Sequence, residues 1–225
     1  MKKILLFLLS FVCLFALVAC SSKEDPKPTP DPTPDPDNTE LDKIVSDNFK
    51  GIASGKKIYL TTCGQSDVGV VELLLEDMID DNQDAIKANF GGKSTVEEVV
   101  TRVDDLKAEN VEEGSMLIVV VGGSNKGLGA AGTNVSDETK RASDFAKLKG
   151  KVTLVVVHIG KQARRGDTSD PIIRAIAPSA DLIMVAVDGD FDGYFTGVAE
   201  SNKIEYHQYS LIPKLTPSFL KMFCK

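Results

Sequence analysis

Histidine is almost missing from this chain of 225 residues: His158 and His207 are the only two. A metal centre built on several imidazoles is therefore excluded, and no His-Glu-x-x-His motif occurs. Cysteine is scarce as well, and outside the first twenty residues only Cys63 and Cys224 remain. Two thiols make no disulfide framework, and whether they pair stays open. The Gly-x-Ser-x-Gly nucleophile elbow and the Walker phosphate loop are absent too. Positive charge is in deficit, with 26 Lys and Arg against 33 Asp and Glu and a formal charge of −7. Such a chain gains nothing from a phosphate backbone, so nucleic acid is not an expected partner.

What is present begins with an export signal. Met1-Lys2-Lys3 precedes an apolar run from Ile4 to Ala19, too short and wrongly flanked for a stable membrane span. Its end, Leu17-Val18-Ala19-Cys20, resembles the lipobox of bacterial lipoproteins. That resemblance implies cleavage of residues 1–19, diacylation of Cys20 with palmitate-type chains, and an extracytoplasmic protein anchored to a membrane. Loss of Lys2 and Lys3 would take the formal charge from −7 to −9, so anionic lipid is expected as an anchor point and no more. Residues 20–40 form a spacer in which Pro26, Pro28, Pro30, Pro32, Pro34 and Pro36 alternate with polar residues. Proline at every second position removes backbone donors and fixes φ, so an extended, semi-rigid segment rising ~3 Å per residue is expected.

Residues 41–225 are long enough for one domain with a substantial core. Continuous Val- and Ile-rich runs at 58–60, 116–121, 152–157 and 182–187 do not alternate with polar residues, which predicts strands buried on both faces. A weaker strand is expected at 204–206 and another at 88–90. Between them lie helical stripes: Val70, Val71, Leu74, Leu75 and Met78; then Val96 to Leu106, opened by a capping-box spacing at Ser94–Glu97; then Ser136 to Lys149; then a helix from Asp170-Pro171 to about Ala177. Alternation of this kind predicts a three-layer, Rossmann-like α/β domain with a mostly parallel sheet of five or six strands.

In open α/β sheets ligands sit beyond the carboxyl ends of the strands. The segments expected there are 61–67, 122–132, 158–170 and 188–193, all polar and glycine-containing. Gly64-Gln65-Ser66, the Gly122–Gly132 loop, His158–Asp170 with its Arg164-Arg165-Gly166 core, and Asp192–Phe195 together resemble an uncharacterised family of exported bacterial α/β domains. The resemblance spans roughly residues 55–210. It implies a Rossmann-like fold and an export signal, and brings no assigned activity.

Gly123, Gly127 and Gly129 have the Gly-x-x-x-Gly-x-Gly spacing of a dinucleotide loop, but they follow an internal strand and no Tyr-x-x-x-Lys occurs downstream. The residues favour instead a nest of backbone amides with nearby cations, suited to a small anionic molecule. The candidate contacts are Gln65, Ser66, Ser124, Lys126, Gly127, Arg164, Arg165, Ser169, Asp170 and Asp192. The competing expectations are an exported hydrolase using the same crevice, with His158 or a carboxylate as base and Cys63 or Ser66 as nucleophile, and a structural or interaction lipoprotein. No cofactor is expected. Asp188-x-Asp190-x-Asp192-Gly193 copies the first half of a calcium loop, yet Ala199 stands where the closing glutamate belongs. Cells supplied with labelled palmitate are expected to attach it to this chain, and Cys20→Ala to abolish both the label and processing; label retained on the variant would refute the anchor.

Overall fold

A strand with no polar face must be covered on both sides, and four such strands dictate a sheet held between two helical layers. The structure, a computed structural model, describes residues 41–65 and 67–225. The export signal, Cys20 and the spacer lie outside the described residues. In chain order the elements are β1 (Ile58–Cys63), α1 (Val68–Asp81), α2 (Gln83–Asn89), α3 (Val96–Val99), β2 (Val100–Arg102), β3 (Met116–Val121) and α4 (Asn125–Ala130). They continue with α5 (Val135–Ala146), β4 (Thr153–His158), α6 (Asp170–Ile176), β5 (Leu182–Ala186), α7 (Tyr194–Asn202), β6 (Glu205–Tyr209) and α8 (Thr216–Phe223). All six strands are parallel, in the order β2-β1-β3-β4-β5-β6. The domain is thus the expected three-layer, Rossmann-like α/β sandwich.

Every residue of β1, β3, β4 and β5 is buried. Period-two alternation sends Ile58, Leu60, Met116, Ile118 and Val120 to one face, where Leu75, Ile79, Phe219 and Phe223 cover them. Tyr59, Cys63, Leu117, Val119 and Val121 go to the other, against Phe145, Ile172, Ile176 and Phe195. Each such aliphatic side chain contributes roughly 1.5–3 kcal/mol of burial free energy. Cys63 belongs to one face and Cys224 packs against the other, so the sheet separates them, and both thiols are free. Among the described residues no helix is long and apolar enough to cross a membrane.

Three expected elements come out differently. The helix read from Val96 to Leu106 lasts a single turn and then becomes β2, pairing Val100, Thr101 and Arg102 with Ile58, Tyr59 and Leu60. Valines at 96, 99, 100 and 103 fit a helical stripe, but β-branched side chains also suit an edge strand, and the vacant edge of β1 decides. The capping box is real but one residue later, with Thr95 as cap and Glu98 reaching back. Residues 88–90 finish α2 instead of forming a strand. The glycine loop after β3 also contains a short helix, α4, before α5 begins.

The first described residues, ahead of β1, run antiparallel to β6 as a strap. The Asp42 amide donates to the Gln208 carbonyl (2.9 Å), and its carboxylate accepts from Ser210 N (2.8 Å) and Oγ (2.6 Å). Further along, Ser46 donates to Glu205 through its amide and its hydroxyl. Val45 is fully buried, and the Gly51 and Ala53 amides bond to the Lys221 and Met222 carbonyls of α8. The outer side of β6 is thereby occupied.

Candidate functional site

In this strand order the chain leaves β1 toward β2 and returns to β3 on the other side, so the crevice expected of an open α/β sheet opens between β1 and β3. All strands being parallel, the segments after β1, β3, β4 and β5 share one rim, as the sequence reading required.

The first two of these segments touch backbone to backbone. Gly64, at φ +105°, lies so close to Gly122 that a Cβ would overlap the Gly122 carbonyl oxygen. The Gly122 amide donates to the Cys63 carbonyl (3.1 Å). From below, Glu138 of α5, only 4% exposed, accepts from the Gly64 amide (2.8 Å), with the Gln65 amide group at 3.5 Å and the Thr133 hydroxyl at 3.3 Å. Arg141 pairs with the same carboxylate (2.6 Å) and donates to the carbonyls of Thr62 (2.6 Å) and Asp104 (2.9 Å). This buried ion pair fixes the exit of β1. Sequence reading missed it, because Glu138 and Arg141 three residues apart resemble an ordinary solvated helix pair.

Ser124 caps α4, its hydroxyl accepting from the Gly127 amide (3.1 Å), and Gly127 packs against the Gln65 carbonyl. Lys126 is exposed on the first turn of α4. Ser169, 1% exposed, accepts from the Gly123 amide (2.8 Å) and donates to its carbonyl (3.2 Å), which joins the β3 and β4 segments. Ser66 lies outside the described residues.

Arg165 is internal. Its side chain is 2% exposed; Nε donates to Asp170 (2.7 Å), Nη1 to the Gly189 carbonyl (2.6 Å), and Nη1 and Nη2 grip Asp192 at 3.1 and 2.9 Å. The rings of Phe191, Tyr194 and Phe195 surround it at 5.3–5.8 Å. Burial alone would raise the Asp192 carboxyl; the hydrogen bonds from Arg165 and the Tyr194 amide outweigh it and hold the group below its usual range. Arg165, Asp170 and Asp192 therefore bind the β4 and β5 segments together, as Ser169 binds β3 to β4, and all four have little left for a ligand. Arg164 is half-buried, its stem lying over Gly160, where a Cβ would collide with it.

His158 is fully buried, with Nδ1 2.8 Å from the Val121 carbonyl and Nε2 3.3 Å from the Lys161 carbonyl, beneath Gly189 and stacked on Phe195. Burial is the chief reason its pKa falls below 6.5, and nearby Arg165 adds to the effect. A ring sealed under backbone is core, not an accessible base. Burial likewise pushes the Cys63 thiol up to about 12, only partly opposed by Arg141, which leaves it protonated and unreactive at neutral pH.

Asp190, 7% exposed, caps the start of α7, accepting from Phe195 N (2.6 Å), Thr196 N (3.0 Å), Thr196 Oγ1 (2.6 Å) and Tyr206 Oη (2.8 Å). Asp188 is exposed, 4.0 Å from the Lys161 ammonium. The three alternating aspartates thus serve three separate partners, and among the described residues no group of three His, Cys, Asp or Glu side chains is placed to hold a metal ion. A groove of about 580 Å³ lies beside β2 at the edge of the sheet, near the first turns of α1, where Arg102 is held between Glu72 and Asp104.

Fold and rim define a parallel α/β domain whose loops are knit into one polar edge. The chain belongs to the family described as a domain of unknown function (DUF6305), whose model matches residues 55–223. No curated protein and no solved structure matches the chain.

Removing a buried cation strands the carboxylates it pairs, so Arg165→Ala is expected to lower unfolding free energy by about 3 kcal/mol in urea titration. Arg164→Ala should change it by less than about 1 kcal/mol; equal losses would contradict the assignment. For His158, the unfolded chain takes up a proton near pH 6.5 while the folded one resists it. Its contribution is therefore whole above that pH and declines as pH falls below it. The wild type should lose melting temperature more steeply between about pH 7 and pH 5 than His158→Gln does; parallel curves would place the ring in solvent.

Proposed function

We propose that this chain is an exported, lipid-anchored binding protein that takes a small anionic molecule over the crevice between β1 and β3. The observation that carries the reading is backbone conformation. Among the described residues five that are not glycine have positive φ, and three of them, Gln65 (62°), Asp67 (64°) and Lys161 (56°), stand in the β1 and β4 segments of this rim. Such conformations disfavour ordinary side chains and persist where surrounding structure holds a loop for use. Here the Glu138–Arg141 pair holds one segment and the Arg165 cluster the other.

Ligand contact falls to the Gln65 segment, the backbone around Gly127, and the cations Lys126 and Arg164, with Ser66 a further contact expected from its place in the sequence. Ser124 contributes by capping α4. Arg165, Ser169, Asp170 and Asp192 act one layer back, as the frame that holds Arg164 in place. Two cations and a polar amide suit a phosphate or carboxylate bearing further hydrogen-bonding groups.

The test is melting temperature in the presence of inorganic phosphate, phosphate monoesters and dicarboxylates. A binder at a hundred times its Kd adds about 2.7 kcal/mol to stability. Lys126→Ala and Arg164→Ala should each weaken that binder about tenfold or more, as expected when a charge-assisted contact is lost. A panel with no stabilising anion, or variants that bind it as well as the wild type, would overturn the proposal.

A further inference from the structure

We propose that the loop rim is also the face by which this domain rests on the bilayer that anchors it. The inference uses the lipid anchor of the preceding section and adds a surface to it. Two independent observations point the same way.

The first is where the described chain begins. Asp42 is bonded to Gln208 and Ser210, at the carboxyl end of β6. In an all-parallel sheet that end lies on the same edge as the segments after β1, β3, β4 and β5. Residues 1–41, including the lipobox cysteine, precede this point, so the chain that carries the anchor enters the domain at the loop rim.

The second is the distribution of exposed apolar side chains. Among the described residues the large hydrophobic ones that stand in solvent are Ile44, Val70, Leu73, Phe191 and Leu211, at 41–59% exposure. Phe191 follows β5 and Leu211 follows β6, directly on the rim; Val70 is in the first turn of α1, which starts there, and Leu73 is one turn below; Ile44 lies midway along the strap beside β6. None of them lies on the opposite edge, where the chain enters the strands through Lys57, Glu112, Glu113, Lys149, Lys151 and Lys203. Between the apolar positions the rim exposes Lys126 and Lys214, and also Lys161, whose ammonium lies 4.0 Å from Asp188. Apolar side chains that dip below the headgroups, with lysines level with the phosphates, are the elements of an interfacial contact. The chain is acidic as a whole, but the Asp170, Asp190 and Asp192 carboxylates of this edge are already bonded within the protein. Asp167 and Asp188 stay exposed on the same edge, so the apolar side chains carry the contact and the lysines only orient it.

The experiment uses the full lipidated chain in vesicles of phosphatidylethanolamine and phosphatidylglycerol that carry a spin-labelled lipid. In a Cys224→Ser background, a fluorophore is attached either at Lys126→Cys on the rim or at Glu113→Cys on the opposite edge. Quenching at position 126 is expected to exceed that at 113 several-fold, and the double change Phe191→Ser, Leu211→Ser should bring the two together. Equal quenching, stronger quenching at 113, or no response to the double change in a folded protein would overturn the docking face. Palmitate labelling of the same samples separates the two ideas: an unlabelled chain removes the anchor and the docking with it, whereas a labelled chain without rim quenching removes the docking alone.

Discussion

A parallel strand cannot turn straight back beside its neighbour; the chain must cross the whole layer before the next strand can begin. With six parallel strands this constraint gathers every exit segment on one edge and every entry segment on the other. The rest of the molecule follows from that division. The entry edge is short and charged, while the exit edge collects the long glycine-containing loops, the positive-φ residues Gln65, Asp67 and Lys161, and the buried charges that hold those loops. Separate positions 64, 122, 165 and 189 become neighbours only because the sheet puts them there.

Two buried cations keep the exit edge rigid, and they do so in different ways. Arg141 works from beneath, closing a carboxylate and three backbone carbonyls around the end of β1. Arg165 works laterally, spanning two carboxylates, a carbonyl and three aromatic rings between the β4 and β5 segments. A guanidinium has donors in a planar fork and stays charged when buried, so it can satisfy several acceptors at once where lysine could not. With Ser169 linking the β3 and β4 segments, the loops form one hydrogen-bonded unit rather than four independent turns.

The layers of this fold were readable in the sequence because uninterrupted Val and Ile runs have few ways to be buried. Helix α1 was readable as well, although its inward stripe is Val68, Val71, Leu75, Met78 and Ile79, and Val70 faces out. The failure at 96–106 has a definite cause: four valines at helical spacing satisfy both periods, and only the open edge of β1 makes strand the better choice. In the site, composition located the right segments and misjudged individual roles. Arg164 and Arg165 are adjacent and chemically identical in sequence, yet one is consumed inside and the other lies over Gly160. His158 ends a strand, as a base would, but Gly189 closes over it. Such differences depend on contacts between residues twenty to seventy positions apart, which no local pattern records.

The strap along β6 also determines how the domain meets a mechanical load. A pull arriving through the N-terminal chain reaches Asp42 first, then Val45 and Ser46, each held to β6 or α8 by its own hydrogen bonds. Those bonds stand between the pulled end and the rest of the domain, so they take the load before β1 does. The central strands, bonded on both sides, stay out of the line of force until the strap has gone, so Asp42 through Ala53 act as a sacrificial clasp.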